Sequence, residues 1–289
     1  MSFRPEPTAL GADPPSRAQP PSPLSKYGRA FRMGIGSAME YRADFFLSLG
    51  SGAFIVIIQC FFWTAVFAAS DSPVVYGYTF PQMIAYALIA GLTVKIVSTG
   101  FEWEIVEDIK NGGLSKFIVQ PIGYFAYRLA CFLGRKAVQL VFLLALSLAA
   151  LGLAAGFLGF ELTLSRVLLF VPFSVLGAVL NFLIYYCLSS LAFTMTEVWG
   201  VFYGANQAIL MLSGGIFPLD VFGPRVLAIL SVLPFKYLVF YPANIINGRF
   251  TADEILTGAA VQLVWIAVLI PAARLCWKLG MKRYVAAGG

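Results

Sequence analysis

Histidine is absent from all 289 residues. That excludes His-based general acid–base catalysis, the Ser-His-Asp triad and histidine ligation of zinc. Charge is scarce as well: Asp, Glu, Lys and Arg make up 12% of the chain, where soluble domains carry about 25%. The four cysteines, Cys60, Cys131, Cys187 and Cys276, are far apart with no C-x-x-C. They are read as packing thiols, and no disulfide framework is expected. No G-x-x-x-x-G-K-[ST] occurs, so the chain has no P-loop of its own. The apolar stretches hold no series of Asp, Glu or His to relay protons, as a proton-driven carrier would need.

What the chain has in abundance is hydrocarbon. Hydrophobic residues make up 60% of it and the mean hydropathy is +0.83, the composition of an all-α integral membrane protein. Six stretches, about 45–69, 80–100, 129–156, 167–193, 197–217 and 254–276, are long enough to cross roughly 30 Å at 1.5 Å per residue. With both ends inside, only Arg166, Arg225, Lys236 and Arg249 of the 20 basic residues fall outside. That asymmetry is a positive-inside signal. It assigns multi-pass insertion with cytoplasmic termini, and no nucleic-acid partner is expected.

Three regions do not fit a simple span. Residues 1–26 are proline-rich with little to bury and read as a disordered cytoplasmic tail. The tail lacks the apolar core of a signal peptide, so no cleavage is expected. In 27–42, Tyr27, Phe31, Ile35 and Met39 repeat every four residues, while Arg29, Arg32, Gly36 and Glu40 fall on another face. That pattern predicts a basic amphipathic helix in the headgroup layer, an interfacial elbow. In 213–250, Pro218, Pro224, Pro234 and Pro242 leave helices of about nine residues (225–233) and seven (235–241), too short to cross. They predict a re-entrant helical hairpin at the outer face, packed at the interface or against protein.

The most charged stretch is 101–121, FEWEIVEDIKNGGLSKFIVQP, with Glu102, Glu104, Glu107 and Asp108 ahead of Lys110, Gly112-Gly113 and Lys116. On a helix Glu104 and Asp108 form a like-charge i,i+4 pair, and Lys110 answers only Glu107. One reading is a solvated loop. The other is a docking element that offers its acidic turn, with Leu114, Phe117 and Ile118, to a soluble partner. Within the spans, Lys95 is read as snorkelling to the cytoplasmic headgroups. Gln59 and Asn181 are amides that either line a substrate path or bond between helices. Gly152-x-x-x-Gly156 fits a close helix approach.

The order of these pieces resembles the membrane subunit of an ABC transporter of the type-2 exporter family. The resemblance covers about 27–289, taken as one transmembrane domain. It is carried by Glu107-Asp108-Ile109-Lys110-Asn111-Gly112-Gly113-Leu114 running to Gln120-Pro121-Ile122, and by Ser213-Gly214-Gly215-Ile216-Phe217-Pro218-Leu219 with Leu233-Pro234 and Asn247-Gly248 behind it. The tail Trp277-Lys278-Leu279-Gly280-Met281-Lys282-Arg283-Tyr284 is similar to a bacterial subgroup with two permeases and one ATPase.

The resemblance implies a non-catalytic permease of a bacterial inner membrane, paired with a second, identical or homologous permease and with two copies of an ABC ATPase. ATP and magnesium would bind the ATPase, with no cofactor in this chain. Coupling would pass through the elbow residues Tyr27, Arg29, Phe31, Arg32 and Ile35 and through Glu104, Glu107, Asp108, Lys110, Leu114, Phe117 and Ile118. The exported substrate would be amphipathic: a drug, a natural product or a lipid-linked molecule. Two rivals stand beside this reading. An ion-coupled carrier would need midplane ligands, which only Gln59 and Asn181 offer; a membrane-embedded enzyme would need a convergent catalytic pair, which the spacing does not supply.

Overall fold

The computed structural model describes residues 23–119, 122–158 and 163–284. The predicted tail lies outside the described residues up to position 22, and residues 23–26 form the first turn of a helix. Eleven α-helices are described, in chain order: α1 (Pro23–Glu40), α2 (Arg42–Ala68), α3 (Phe80–Val97), α4 (Phe101–Lys110), α5 (Ser115–Val119), α6 (Tyr124–Leu158), α7 (Leu164–Ser189), α8 (Trp199–Leu212), α9 (Gly223–Val232), α10 (Phe240–Ile246) and α11 (Ala252–Met281). Between α2 and α3 lies a two-stranded antiparallel ribbon, β1 (Val74–Val75) with β2 (Tyr78–Thr79).

Local chemistry fixes several boundaries. Helix α3 starts with Pro81 in its first turn, and the Thr79 N–H donates to the Gln82 side chain at 3.0 Å. Helix α11 starts in a capping box: the Thr251 N–H donates to Glu254 at 2.8 Å, and the Glu254 N–H donates back to the Thr251 hydroxyl at 3.4 Å.

Among the described residues, five helical stretches are long and apolar enough to cross a membrane: α2 from Ala43, α3 running on into α4, the first part of α6, α7 and α11. The count is six if the bent pair Leu219–Val232 and Phe235–Ile246, which meet at 91°, is taken as one span. The stretch expected as span 5, 197–217, holds only the 14 residues of α8, about 21 Å of helix. It is cut short by Ser213-Gly214-Gly215, where Gly214 turns to a φ of +81°.

Helices α3 and α7 form the centre, with half of their most apolar window buried, against 6% for α2 and 11% for α11. The two outer helices therefore meet lipid or another subunit along most of their length. Helix α10 is buried on all sides, from Phe240 to Ile246, which requires protein rather than solvent around it. Its neighbours are α3 and α7. It is tied in by Tyr86, whose hydroxyl donates to the Gly214 carbonyl at 2.7 Å, and by the Phe240 N–H, which donates to the Ser213 carbonyl at 2.8 Å. Gln262 on α11 donates to the carbonyls of Phe173 and Tyr237 at 3.1 and 2.9 Å. The proline-cut segment thus holds two short helices, but the second is not the expected 235–241: a 3-10 turn occupies Phe235–Tyr237, and α10 runs from Phe240 to Ile246 through Pro242, which sits in its first turn where a missing N–H costs nothing, and is sunk into the core.

The expected N-terminal helix is present as α1, separated from α2 by Tyr41. It packs along the first part of α6, and the contact is set by small residues that the four-residue repeat does not pick out. Ala30 and Gly34 are buried; a Cβ at Gly34 would collide with the Cys131 carbonyl, and one at Gly134 with the Phe31 carbonyl. Glycine on both sides lets the two backbones touch. Tyr27, Phe31 and Ile35 flank this seam half-buried, while Arg29, Arg32 and Met39 are exposed. A Cβ at Gly152 or Gly156 would meet no neighbouring atom within 4 Å, so the close approach lies elsewhere than their spacing suggests.

Candidate functional site

The described part of the charged stretch, 101–119, does not form a loose loop. Helix α3 stops at Val97 and α4 restarts at Phe101. Gly100 takes a φ of +141° between them, and its N–H donates to the Glu102 carboxylate at 2.7 Å. The carbonyl freed at Val97 accepts from Asn181 Nδ2 at 2.8 Å. Asn181 therefore fastens the break between α3 and α4. Gln59 is buried on α2, and no hydrogen bond joins it to Asn181 among the described residues.

Helix α4 ends at a left-handed Gly112, φ +74°, with the Leu114 N–H donating to the Asp108 carbonyl at 3.1 Å. Gly113 is needed for a second reason, because a Cβ there would strike the Asp108 carboxylate. The chain then turns at the buried Leu114 into α5, where Phe117 packs on Tyr124 with ring centres 4.8 Å apart. Ile118 belongs to α5, and its side chain lies outside the described residues.

The acidic residues divide between two faces. Glu104 and Asp108 turn inward onto α6, where Arg128 bonds both carboxylates and donates to the Glu104 carbonyl at 3.3 Å. Arg135 takes the other Glu104 oxygen. Tyr124 donates its hydroxyl to Asp108 at 2.8 Å and accepts from Arg128 Nε at 3.0 Å. Lys116 stands 3.6 Å from the outer oxygen of Asp108. The like-charge pair on α4 is thus neutralised by arginines one helix away, which intrahelical spacing cannot reveal. Trp277 of α11 stacks on Tyr124, with ring centres 4.7 Å apart and planes inclined by 16°, so the end of the last span closes over the network.

The opposite face of α4 is open. Trp103, Glu107 and Lys110 are exposed at i, i+4 and i+7, and Ser115, Lys116 and Val119 continue the row on α5. Trp103 leans on Phe202 of α8 at 5.0 Å, and Lys110 donates to the Thr196 carbonyl. The stretch therefore has a scaffold side, Glu104 and Asp108 with the buried Leu114, and a presented side, Glu107 and Lys110 with Lys116.

The chain matches the family model described as ABC-2 family transporter protein over residues 53–288. No curated protein and no solved structure matches it. The matched range begins within α2 and takes in α3 to α11, with the α4–α5 element and the bent pair, and with the apolar helices it identifies a multi-pass membrane protein: the chain belongs to the ABC-2 transporter family, as a permease subunit.

Proposed function

We propose that this permease is half of an ATP-driven exporter that moves an amphipathic substrate outward, and that the presented side of α4–α5 receives the ATPase. The observation that carries this is the split of one short helix. Its inner carboxylates are held by Arg128 and Arg135, while Glu107 and Lys110 are exposed and, among the described residues, form no ion pair, Lys110 bonding only the Thr196 carbonyl. A rigidly mounted, mixed-charge surface suits a contact that must transmit force.

In this reading both termini are cytoplasmic, in a bacterial inner membrane, and α1 lies in the headgroup layer as an elbow. A second permease completes the pathway, two ATPase subunits dock beneath, and ATP with magnesium binds there. The bent pair α9–α10 is re-entrant from the outer side.

The test is affinity purification from native membranes, with ATP hydrolysis measured in the eluate. Glu107→Lys combined with Lys110→Glu should lose the co-purifying ATPase, while the permease itself remains monodisperse. Removing a partner from a charge pair that the interface buries costs about 2–5 kcal/mol, enough to empty the complex. Full retention of ATPase in the double variant would overturn the assignment of this surface.

A further inference from the structure

A cavity of about 730 Å³ opens where α1 turns into α2, walled by the end of α3 and by α6. Two cations line it, Lys95 and Arg135, together with the hydroxyls of Ser98 and Thr99. Arg135 is committed to Glu104 through Nη1. Lys95 forms no ion pair among the described residues. Asp44, in the first turn of α2, lines the same cavity and is exposed. A second cavity of about 220 Å³ adjoins it and is almost wholly apolar, running between α2 and α3 past Ala53, Val56, Leu88 and Leu92. Lys95 belongs to both.

Glycine makes this junction. A Cβ at Gly52 would stand 2.7 Å from Lys95 Cε, so the lysine stem crosses α2 only because that position is bare. The ammonium is thereby held at the seam between a polar chamber and an oily groove, rather than extended along the helix to bulk water. An occupant with one anionic head and a flexible apolar tail satisfies both halves together. A free anion would leave the groove empty, and a plain hydrocarbon would leave Lys95 without an anionic partner. The groove spans residues 49–57 of α2, about 12 Å of helix, comparable to a good part of one acyl chain.

We infer that these joined cavities bind an anionic glycerophospholipid of the leaflet on the α1 side, its phosphate at Lys95 and Arg135 and one acyl chain in the α2–α3 groove. The inference requires only that the helices sit in a bilayer and does not depend on the transported substrate. It also gives Lys95 a fixed task in place of snorkelling.

Native mass spectrometry of the intact permease tests it, with dioleoylphosphatidylglycerol and dioleoylphosphatidylcholine titrated separately. The wild type should retain the anionic lipid about fivefold more tightly, the worth of roughly one basic residue near an anionic headgroup. Lys95→Gln should erase that preference, and Ala53→Phe, which fills the groove while leaving the cations, should weaken both lipids. Glycerophosphoglycerol, the head without chains, should not compete. Exposed Arg225→Gln on α9 should bind as wild type does. Equal retention of the two lipids by the wild type, or unchanged binding in both Lys95→Gln and Ala53→Phe, would overturn the site. So would competition by the headgroup alone, or a cysteine at position 53 that cross-links two copies in lipid and excludes the phospholipid. Thermal stability of each variant separates lost binding from lost folding, and the two substitutions act on different halves of the site.

Discussion

The Arg249 guanidinium carbon lies 3.6 Å from the centre of the Tyr78 ring. The same arginine bonds Asp220 at 2.8 Å, and Tyr78 donates its hydroxyl to Asp220 at 2.8 Å and lies 3.0 Å from the Asn244 amide oxygen. One ring thus joins the β1–β2 ribbon, the start of the bent pair, the buried helix α10 and the approach to α11. Burial, reinforced by the Asp220 carboxylate, pushes the Tyr78 phenol well above its ordinary range, so it remains a donor at every physiological pH.

Removing that arginine should loosen the bent pair. Arg249→Ala forfeits a cation–π contact worth about 0.5–2 kcal/mol and strands a half-buried carboxylate. Arg249→Lys keeps the charge and loses the flat stacking surface. Thermal unfolding in detergent should rank wild type above the lysine variant and the lysine variant above alanine. An alanine variant as stable as wild type would count against the contact.

Arg128 should be the least replaceable charge in the protein. Its side chain is 8% exposed and it serves two carboxylates; breaking a buried pair costs about 3–5 kcal/mol. Arg128→Gln should lower the yield of folded permease sharply. Reversing Glu104 and Asp108 to Lys should do the same, because two new cations would face Arg128. Such a double variant reports on folding, and the docking question belongs to Glu107 and Lys110. Size-exclusion profiles of the two variants decide between these outcomes.

The glycine seam makes a matched comparison. Gly34→Val and Gly134→Val should each disturb the α1–α6 contact, by about 1–3 kcal/mol or more, as overpacking does. Gly28 and Gly36 sit on the same helix with nothing within 4 Å of a Cβ. Alanine there should be neutral or stabilising by roughly 0.5–1 kcal/mol. Equal melting temperatures for Gly34→Val and Gly36→Ala would contradict the seam.

Single cysteines in a background lacking the native four report the orientation of the chain. With cytoplasmic termini, positions Ser72 and Thr251 should react with a membrane-impermeant maleimide in intact cells, and Ser115 only after permeabilisation. Reaction at position 115 from outside would reverse the orientation and remove the α4–α5 surface from any cytoplasmic partner.

Much of this arrangement is legible in the sequence because long apolar runs and prolines act locally. Five of the six expected spans coincide with long helices, and the prolines of 213–250 mark the bent pair. Span 5 reads too long because residues 213–217 are apolar enough to continue it, while Gly214 turns the backbone away. The acidic turn of α4 reads as unbalanced because its partners, Arg128 and Arg135, lie 20 to 31 residues downstream. Spacing along one helix carries no information about a neighbour. The α1 seam escapes a sequence reading because hydrophobic periodicity weights large side chains, whereas this contact is made by their absence at Gly34 and Gly134.

That seam has a mechanical consequence. Helix α6 is 35 residues long, about 52 Å, and its first dozen residues carry both attachments: α1 across the paired glycines and α4 through Arg128. With backbone against backbone there is no cushion of side chains to compress, and with a guanidinium pinned by two carboxylates there is little freedom to swivel. Helices α1 and α4 are therefore two handles on one shaft. A load applied at either handle would fall on the same dozen residues of α6, next to the other handle's attachment.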